Sequence, residues 1–380
     1  MSESPAAALA RAMVGEPGSR HRLPTPALVL DEAALDANIA AMAARVRGKV
    51  RLRPHAKTHK SAWIARKQIA HGAVGVCCAK LGEAEALSAA GVRAILLTSP
   101  IADATAPARL CEVAKVDPSF VCVVDHPDPV TALAAEAHRR DLRIAVAIDV
   151  DVGLMRTGVA GPAEALELAA HIARFPSLEL AGVQGYGGHW QHIPGYHARR
   201  DAVRLGMDRL SAVVAALRAG GHRVDLVTGG GTGTVAADLE LGVLDELQPG
   251  SYVFMDAQYA DALGDDPDGQ FRTSLWVASQ VVSVNATPIV TVDAGLKAFA
   301  TEGPAPRPST APFADSTYAF YGDEHGALTR PPDIDVRLGL RVELLTPHCD
   351  PTVDRYDSYH VVRGDTLVAI VPIDAARSSR

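Results

Sequence analysis

The segment RLRPHAKTHK places Arg53, His55, Lys57, His59 and Lys60 within a few positions of one another. A lysine among other cations has its ammonium form disfavoured, and the amine becomes a nucleophile. The same residues would also make a solvated basic loop. Further on, IDVDVGLMRTG carries Arg156, whose planar guanidinium can fix an anionic oxygen or pair with Asp149 or Asp151. QGYGGHWQH brings Tyr186, His189 and His192, and imidazoles suit proton transfer near neutral pH, or simply hydrogen-bonded loop structure. In TGGGTGT, residues 228–234, the run Thr228, Gly229, Gly230, Gly231, Thr232 lets backbone N–H groups converge on an anion ahead of a helix. No GK[ST] follows, so this is not a nucleotide P-loop. Ser251 and Tyr252 stand in GSY a little later. Finally, TPHCDPTVD holds His348, Cys349 and Asp350. If extended, it puts His348 and Asp350 on one side and Cys349 on the other. An imidazole and a carboxylate suit a divalent cation completed by water; the alternative is a turn stabilised by Asp350 before Pro351. YGDEHG at 321–326 is a further polar cluster, the alternative being a reverse turn.

The elements that must position these groups follow from the hydrophobic pattern. ALVLDEAALDANIAAMAARVRG reads as a strand, Asp31 as N-cap, a helix with Leu35, Ile39, Met42 and Val46 on one face, and Gly48 as the stop. Eight further strands are expected at VRLRP (50–54), VGVCCAK (74–80), RAILLTS (93–99), FVCVVD (120–125), RIAVAIDV (143–150), LAGVQGY (180–186), VDLVTG (224–229) and LQPGSYVFM (247–255). Most are continuous apolar runs, as strands buried on both faces should be. Helical segments such as EALELAAHIARF and MDRLSAVVAALRAGG fill the gaps. The expected class is α/β, a (β/α)8 barrel over residues 26–265, with a doubly wound open sheet as the rival. Barrel enzymes place functional groups where strands end, which turns the strand ends into the site above. A glycine loop after the seventh strand, opposite a loop lysine, suggests pyridoxal phosphate. Beyond about residue 266 the pattern becomes β-rich through residue 380, predicting a smaller all-β domain joined by the N-terminal segment 1–25. EGPAPRPSTAPFADST is read there as a surface loop.

Composition sets the outer limits. The chain has 380 residues, 37 Lys plus Arg against 44 Asp plus Glu, a net charge of −7, and 48% hydrophobic residues. That is an ordinary globular enzyme's balance, without the basic surface that nucleic acid or an anionic membrane demands. No apolar run reaches the roughly 20 residues of a membrane span. Five cysteines, none in a CxxC pair, argue for a reducing cytoplasm over a disulfide framework, and the N-terminus lacks a signal-peptide pattern.

In order along the chain, TPALVLD, RPHAKTHK, VGVCCAK with GEAEAL, DVDVG followed by R-T-G, TGGGTGT, PGSYVFMD, DAGLKA, DEHG and PHCDPT resemble the D-threonine aldolases. These are grouped with D-serine dehydratases among the alanine racemase-like (fold type III) pyridoxal phosphate enzymes. The resemblance runs from about residue 24 to the C-terminus. It implies a barrel plus β domain, a homodimer, pyridoxal 5'-phosphate, and a divalent metal, manganese as first choice over magnesium, cobalt or zinc. The implied activity is metal-dependent lyase cleavage of a small β-hydroxy-D-amino acid to glycine and an aldehyde. By motif, Lys57 and not Lys60 holds the cofactor, and Arg156 and Tyr186 hold its ring. Thr228, Gly230, Gly231, Thr232, Ser251 and Tyr252 hold the phosphate, His192 is the base, and His348 and Asp350 are the metal ligands. One departure stands out: the family commonly has an imidazole directly after the tyrosine of the sixth strand, where this chain has Gly187, with His189 two positions later. D-serine dehydratase chemistry on the same scaffold is the rival. It typically uses His-x-Cys, and Asp350 at that third position favours the aldolase.

Overall fold

In the computed structural model, which describes residues 5–264, 266–332 and 334–378, the first helix begins and ends where its residues mark it. Helix Glu32–Val46 is entered with the Ala34 N–H donating to Asp31 Oδ1 at 2.9 Å, satisfying one of the amides a helix start leaves unpaired. Leu35, Ile39, Met42 and Val46 are all buried, and Gly48 takes the left-handed turn beyond the end at φ +72.

The chain divides into two compact units. The first, chiefly Ala41–Gly250 with Ala262–Gln270, contains eight parallel strands: β1 (Arg51–Leu52), β2 (Val76–Cys78), β3 (Ile95–Leu97), β4 (Val121–Val124), β5 (Ile144–Asp149), β6 (Leu178–Gly185), β7 (Leu226–Gly229) and β8 (Glu246–Leu247). They pair β1-β8-β7-β6-β5-β4-β3-β2. A parallel bridge between His55 and Cys77, with Cys77 N–H donating to Pro54 O at 2.8 Å and Ala56 N–H to Cys77 O at 2.7 Å, joins the two end strands of this curled sheet. Helices follow the strands in the β-α order that right-handed crossovers require. Cys77, Leu96, Val121, Val123, Ala147 and Leu226 pack together as one apolar layer. Next to it Arg53 grips the fully buried Glu246 through two bonds of 2.8 and 3.1 Å, tying β1 to β8 by a bidentate charged pair.

The second unit takes the described residues up to Ala40, Ser251–Asp261 and Phe271–Arg377. Its sheet has nine strands. Ala27–Asp31 runs antiparallel to Leu275–Ser283 and parallel to Ser358–Arg363. The N-terminal segment belongs here as well, with Ala10, Met13 and Leu23 packing on Val29, Val362 and Leu367.

Several expectations are corrected. ALVLD, assigned to a barrel spanning 26–265, is a strand of the β unit, and the barrel strands begin at Arg51. An apolar strand buried on both faces carries no mark of which sheet it joins. Of LQPGSYVFM only Leu247 is in a strand, which spans Glu246–Leu247, and Ser251–Val253 is a 3-10 helix. Pro249 has no N–H for the ladder, and Gly250 follows it. In the Pro-rich stretch, Arg307–Pro308 pairs with Arg341–Leu345 and Phe313 is fully buried, so it is more than a surface loop. The metal motif is not extended. The strand ends at Leu345, and Cys349–Val353 is a short helix with His348 at its N-cap, so the side assignment made from a period of two does not apply.

Candidate active site

The loop after β1 sorts its two lysines. Lys60 sits at φ +51, is 5% exposed, and forms a buried ion pair with Glu83. The other oxygen of Glu83 accepts the Ala79 N–H at 2.8 Å and the Lys80 N–H at 3.2 Å. Lys60 is thereby bound to the entrance of helix Leu81–Ala89, while Lys57 lines a cavity together with His55, Thr98, Arg156, Gln184, Tyr186 and Gln248. Thr98 Oγ1 gives its proton to Cys78 O at 3.1 Å, so the contact of 3.1 Å from His55 Nε2 is a donation to Thr98. His55 Nδ1 is then left to accept the Lys57 N–H at 3.4 Å. Truncating Glu83 leaves the Lys60 charge buried without its partner. Glu83→Ala is expected to cost about 3–5 kcal/mol, read as a lower midpoint in urea unfolding, with Glu83→Gln less severe.

The floor of this cavity is polar. Gln184 Nε2 donates to Asp149 Oδ1 and to Thr98 O, each at 2.9 Å, and its Oε1 accepts from Gln248 at 3.3 Å. Gln248 also donates to Thr228 Oγ1 at 2.9 Å, and Thr228 Oγ1 to Glu246 at 3.3 Å. Thr228 is fully buried in this network, with its hydroxyl proton directed at Glu246. Burial pushes the Asp149 carboxyl up to about 6, against hydrogen bonds from Gln184 and Thr157 that favour its charge. Arg156 stands over the Tyr186 ring, 5.4 Å from its centroid, a cation-π contact.

After β7 the backbone turns through Gly230 at φ +72, and Gly231 and Thr232 are buried with it. A Cβ on Gly231 would lie 2.5 Å from Gln191 Oε1, and one on Gly233 would lie 2.2 Å from Gln191 O. Only glycine permits that approach. Gly233 N–H donates to Gln191 Oε1 at 3.0 Å, so the glycine loop is docked on the residue preceding half-buried His192. Trp190 accounts for the departure at Gly187: a Cβ there would meet its ring at 2.2 Å. His189 lies 4.9 Å from the same indole, and burial lowers its pKa against the opposing charge of Asp151.

Asp238, four residues beyond Thr234, accepts that hydroxyl at 2.7 Å. Burial pushes its carboxyl from 3.8 to about 7. A raised carboxyl pKa means that folding favours the neutral form. The resulting stability is full below pH 3.8 and is lost as pH rises through about 7. Asp238→Asn should flatten the pH dependence of the melting temperature across that window and raise it above wild type in alkaline buffer.

In the second unit, His348 Nδ1 meets Glu302 Oε1 at 2.9 Å. Cys349 is fully buried, its N–H donating to Asp256 at 2.8 Å and its thiol to Asp350 Oδ1 at 3.4 Å. Burial, with Asp256 and Asp350 nearby, holds that thiol well above its ordinary pKa. Among the described residues no group of three His, Cys, Asp or Glu side chains forms a metal cluster, so a cation here would rest on His348, Asp350 and water. Ser251 and Tyr252 occupy the 3-10 helix, Tyr252 fully buried with its ring 5.5 Å from that of Phe271.

Residues 30–258 match the family described as alanine racemase, N-terminal domain, and residues 274–362 the putative serine dehydratase domain. The chain is 37% identical over 362 residues to a D-threonine aldolase of Arthrobacter sp, covering 94% of both. It is 33% identical over 362 residues to a 3-hydroxy-D-aspartate aldolase of Paracoccus denitrificans (strain Pd 1222), covering 92% of both. The crystal structure of a D-threonine aldolase from Filomicrobium marinum superposes with a TM-score of 0.90 at 34% identity, over 94% of this chain and 97% of that one. The chain belongs to the alanine racemase-like D-threonine aldolase family. It is therefore an enzyme, and the D-threonine aldolase fold accounts for both units: the parallel barrel and the mostly antiparallel sheet. No helix among the described residues is long and apolar enough to cross a membrane. Within this aldolase scaffold, sequence reasoning missed Thr98, Gln184, Gln191 and Gln248. The available signal was a glutamine inside the otherwise apolar run LAGVQG, since a buried strand admits a polar side chain only with partners.

Proposed function

We propose that the protein carries out retro-aldol cleavage of D-threonine and related β-hydroxy-D-amino acids to glycine and an aldehyde, using pyridoxal 5'-phosphate and a divalent cation, manganese by preference. The observation that carries this reading is the convergence of Lys57, Arg156 and Tyr186 on one cavity over a hydrogen-bonded floor. The residues present fit the cofactor, because Lys57 lines that cavity and a glycine-rich turn follows β7, at the end of a barrel strand where phosphate groups bind. They fit a cation as well, because Glu302 on Nδ1 leaves the other nitrogen of the neutral His348 ring as an acceptor. When bound, pyridoxal phosphate supplies the electron sink for the carbanion left at Cα, and the cation at His348 and Asp350 a Lewis acid for the β-hydroxyl.

The chain's own groups do the rest. Lys57 would hold the cofactor through its side-chain amine. Arg156 and Tyr186 orient the ring. The turn from Gly230 to Thr232 is assigned to the phosphate by motif, as are Ser251 and Tyr252; its Gly231 N–H is held by Thr234 Oγ1 at 3.0 Å. Thr228 contributes by holding the floor, because its hydroxyl proton is committed to Glu246. His192 accepts the proton of the β-hydroxyl as the bond from Cα to Cβ breaks. We also read the protein as a cytoplasmic homodimer that binds neither nucleic acid nor membrane. Its five cysteines are free and buried, as a reducing compartment allows.

The match at 274–362 keeps dehydration in view, in which the hydroxyl leaves as water. Asp350 stands where a His-x-Cys site carries its thiolate, which favours the aldolase, and Cys349 beside it is fully buried. Protein incubated with pyridoxal phosphate, a divalent metal and D-threonine should give glycine and acetaldehyde, but not with L-threonine or a chelator. Formation of 2-oxobutyrate and ammonia would establish the dehydratase instead.

A further inference from the structure

We propose that Glu302 is a positioning residue for the divalent cation, fixing the ring of His348 so that Nε2, and not Nδ1, is the ligand atom. The inference rests on the reading of His348 as a metal ligand. A carboxylate can only accept, so the contact of 2.9 Å between Glu302 Oε1 and His348 Nδ1 places a proton on Nδ1, and in the neutral ring the lone pair is then on Nε2. The partner also restrains rotation of the ring and makes Nε2 more basic, as a carboxylate behind a metal-bound imidazole does.

The local backbone supports this arrangement. His348 is the N-cap of helix Cys349–Val353, and its carbonyl accepts from Thr352 Oγ1 at 2.7 Å. The Cys349 N–H is held by buried Asp256. The main chain at His348 is thus fixed at two points, and the side chain torsions are what Glu302 fixes. Gln258 adds an independent sign. Its Oε1 is buried without a hydrogen-bond partner, its N–H donates to Pro347 O at 3.2 Å, and its side-chain amide lies beside Gly303. A buried acceptor between the residues that follow Glu302 and precede His348 lacks a donor, and water in a cation's shell is one.

The test uses the pyridoxal phosphate-loaded protein without substrate. Free Mn2+ is titrated by its electron spin resonance signal, and 15N-histidine spectra report the tautomer, with the His348 resonances identified by their loss in His348→Ala. Glu302→Ala is expected to weaken Mn2+ binding about 10–100-fold and to abolish the fixed Nδ1–H form. Glu302→Gln, whose carbonyl oxygen still accepts from Nδ1–H, should recover the tautomer and part of the affinity. If His348→Ala abolishes binding while Glu302→Ala leaves affinity and tautomer unchanged, the positioning role is overturned and the metal reading stands. If His348→Ala binds Mn2+ as wild type does, both fall.

Discussion

Lys57→Ala should purify without the visible absorbance of a lysine-linked cofactor and lose turnover by about 10⁴ to 10⁶-fold, the scale on which removal of a covalent nucleophile acts. Two structural facts make the effect specific to Lys57. Lys60, three residues away, has its ammonium in the buried pair with Glu83, so it is not positioned to substitute. The Lys57 side chain instead reaches the cavity shared with Arg156 and Tyr186. Borohydride reduction of the wild-type protein followed by peptide mapping should leave the cofactor's mass on the peptide at Lys57. A tag on Lys60, or absorbance that survives Lys57→Ala, would reverse the assignment. Folding should be intact, because the loop is held by His55 on one side and by the Lys60–Glu83 pair on the other.

His192→Ala is expected to keep the cofactor and its absorbance and to lower kcat about 10² to 10⁴-fold, the range a general base contributes. KM should change far less, because the proton moves only as the bond from Cα to Cβ breaks. The segment around His192 is set by Gln191, whose amide oxygen accepts the Gly233 N–H, and by Trp190, which fills the space over Gly187 and Gly206. The variant should therefore melt close to wild type. Near-normal turnover would remove His192 from the reaction.

Much of this architecture was legible in the residues. Seven of the expected barrel strands are present as such, six of them shortened at their ends and Leu178–Gly185 starting two residues earlier than expected, because short apolar runs alternating with amphipathic helices have few other solutions. Where proline and glycine interrupt the run, at Pro249 and Gly250, the ladder stops earlier than apolarity alone suggests. Lys57, Arg156 and Tyr186 stand out in the sequence because they follow barrel strand ends, and they line one cavity. The partners that organise them do not stand out. Gln184 meets Gln248, Lys60 meets Glu83, and His348 meets Glu302 across 64, 23 and 46 residues of sequence, and no local period encodes such meetings. The same limit explains the metal motif. Whether PHCDP continues a strand or caps a helix depends on Asp256 reaching the Cys349 N–H from 93 residues away.

The place of Ala27–Asp31 governs the order in which the chain can be completed. Its two neighbours in the sheet are Leu275–Ser283 and Ser358–Arg363. During synthesis from the N-terminus, this strand leaves the ribosome long before either partner exists, while Arg51–Leu247 supplies all eight barrel strands in one continuous stretch. Four buried apolar residues, Ala27, Leu28, Val29 and Leu30, must then wait unpaired. Such a delay is slow to resolve and prone to aggregation. Proteins ending before Leu275 should therefore accumulate with a protected barrel and a protease-sensitive N-terminal segment.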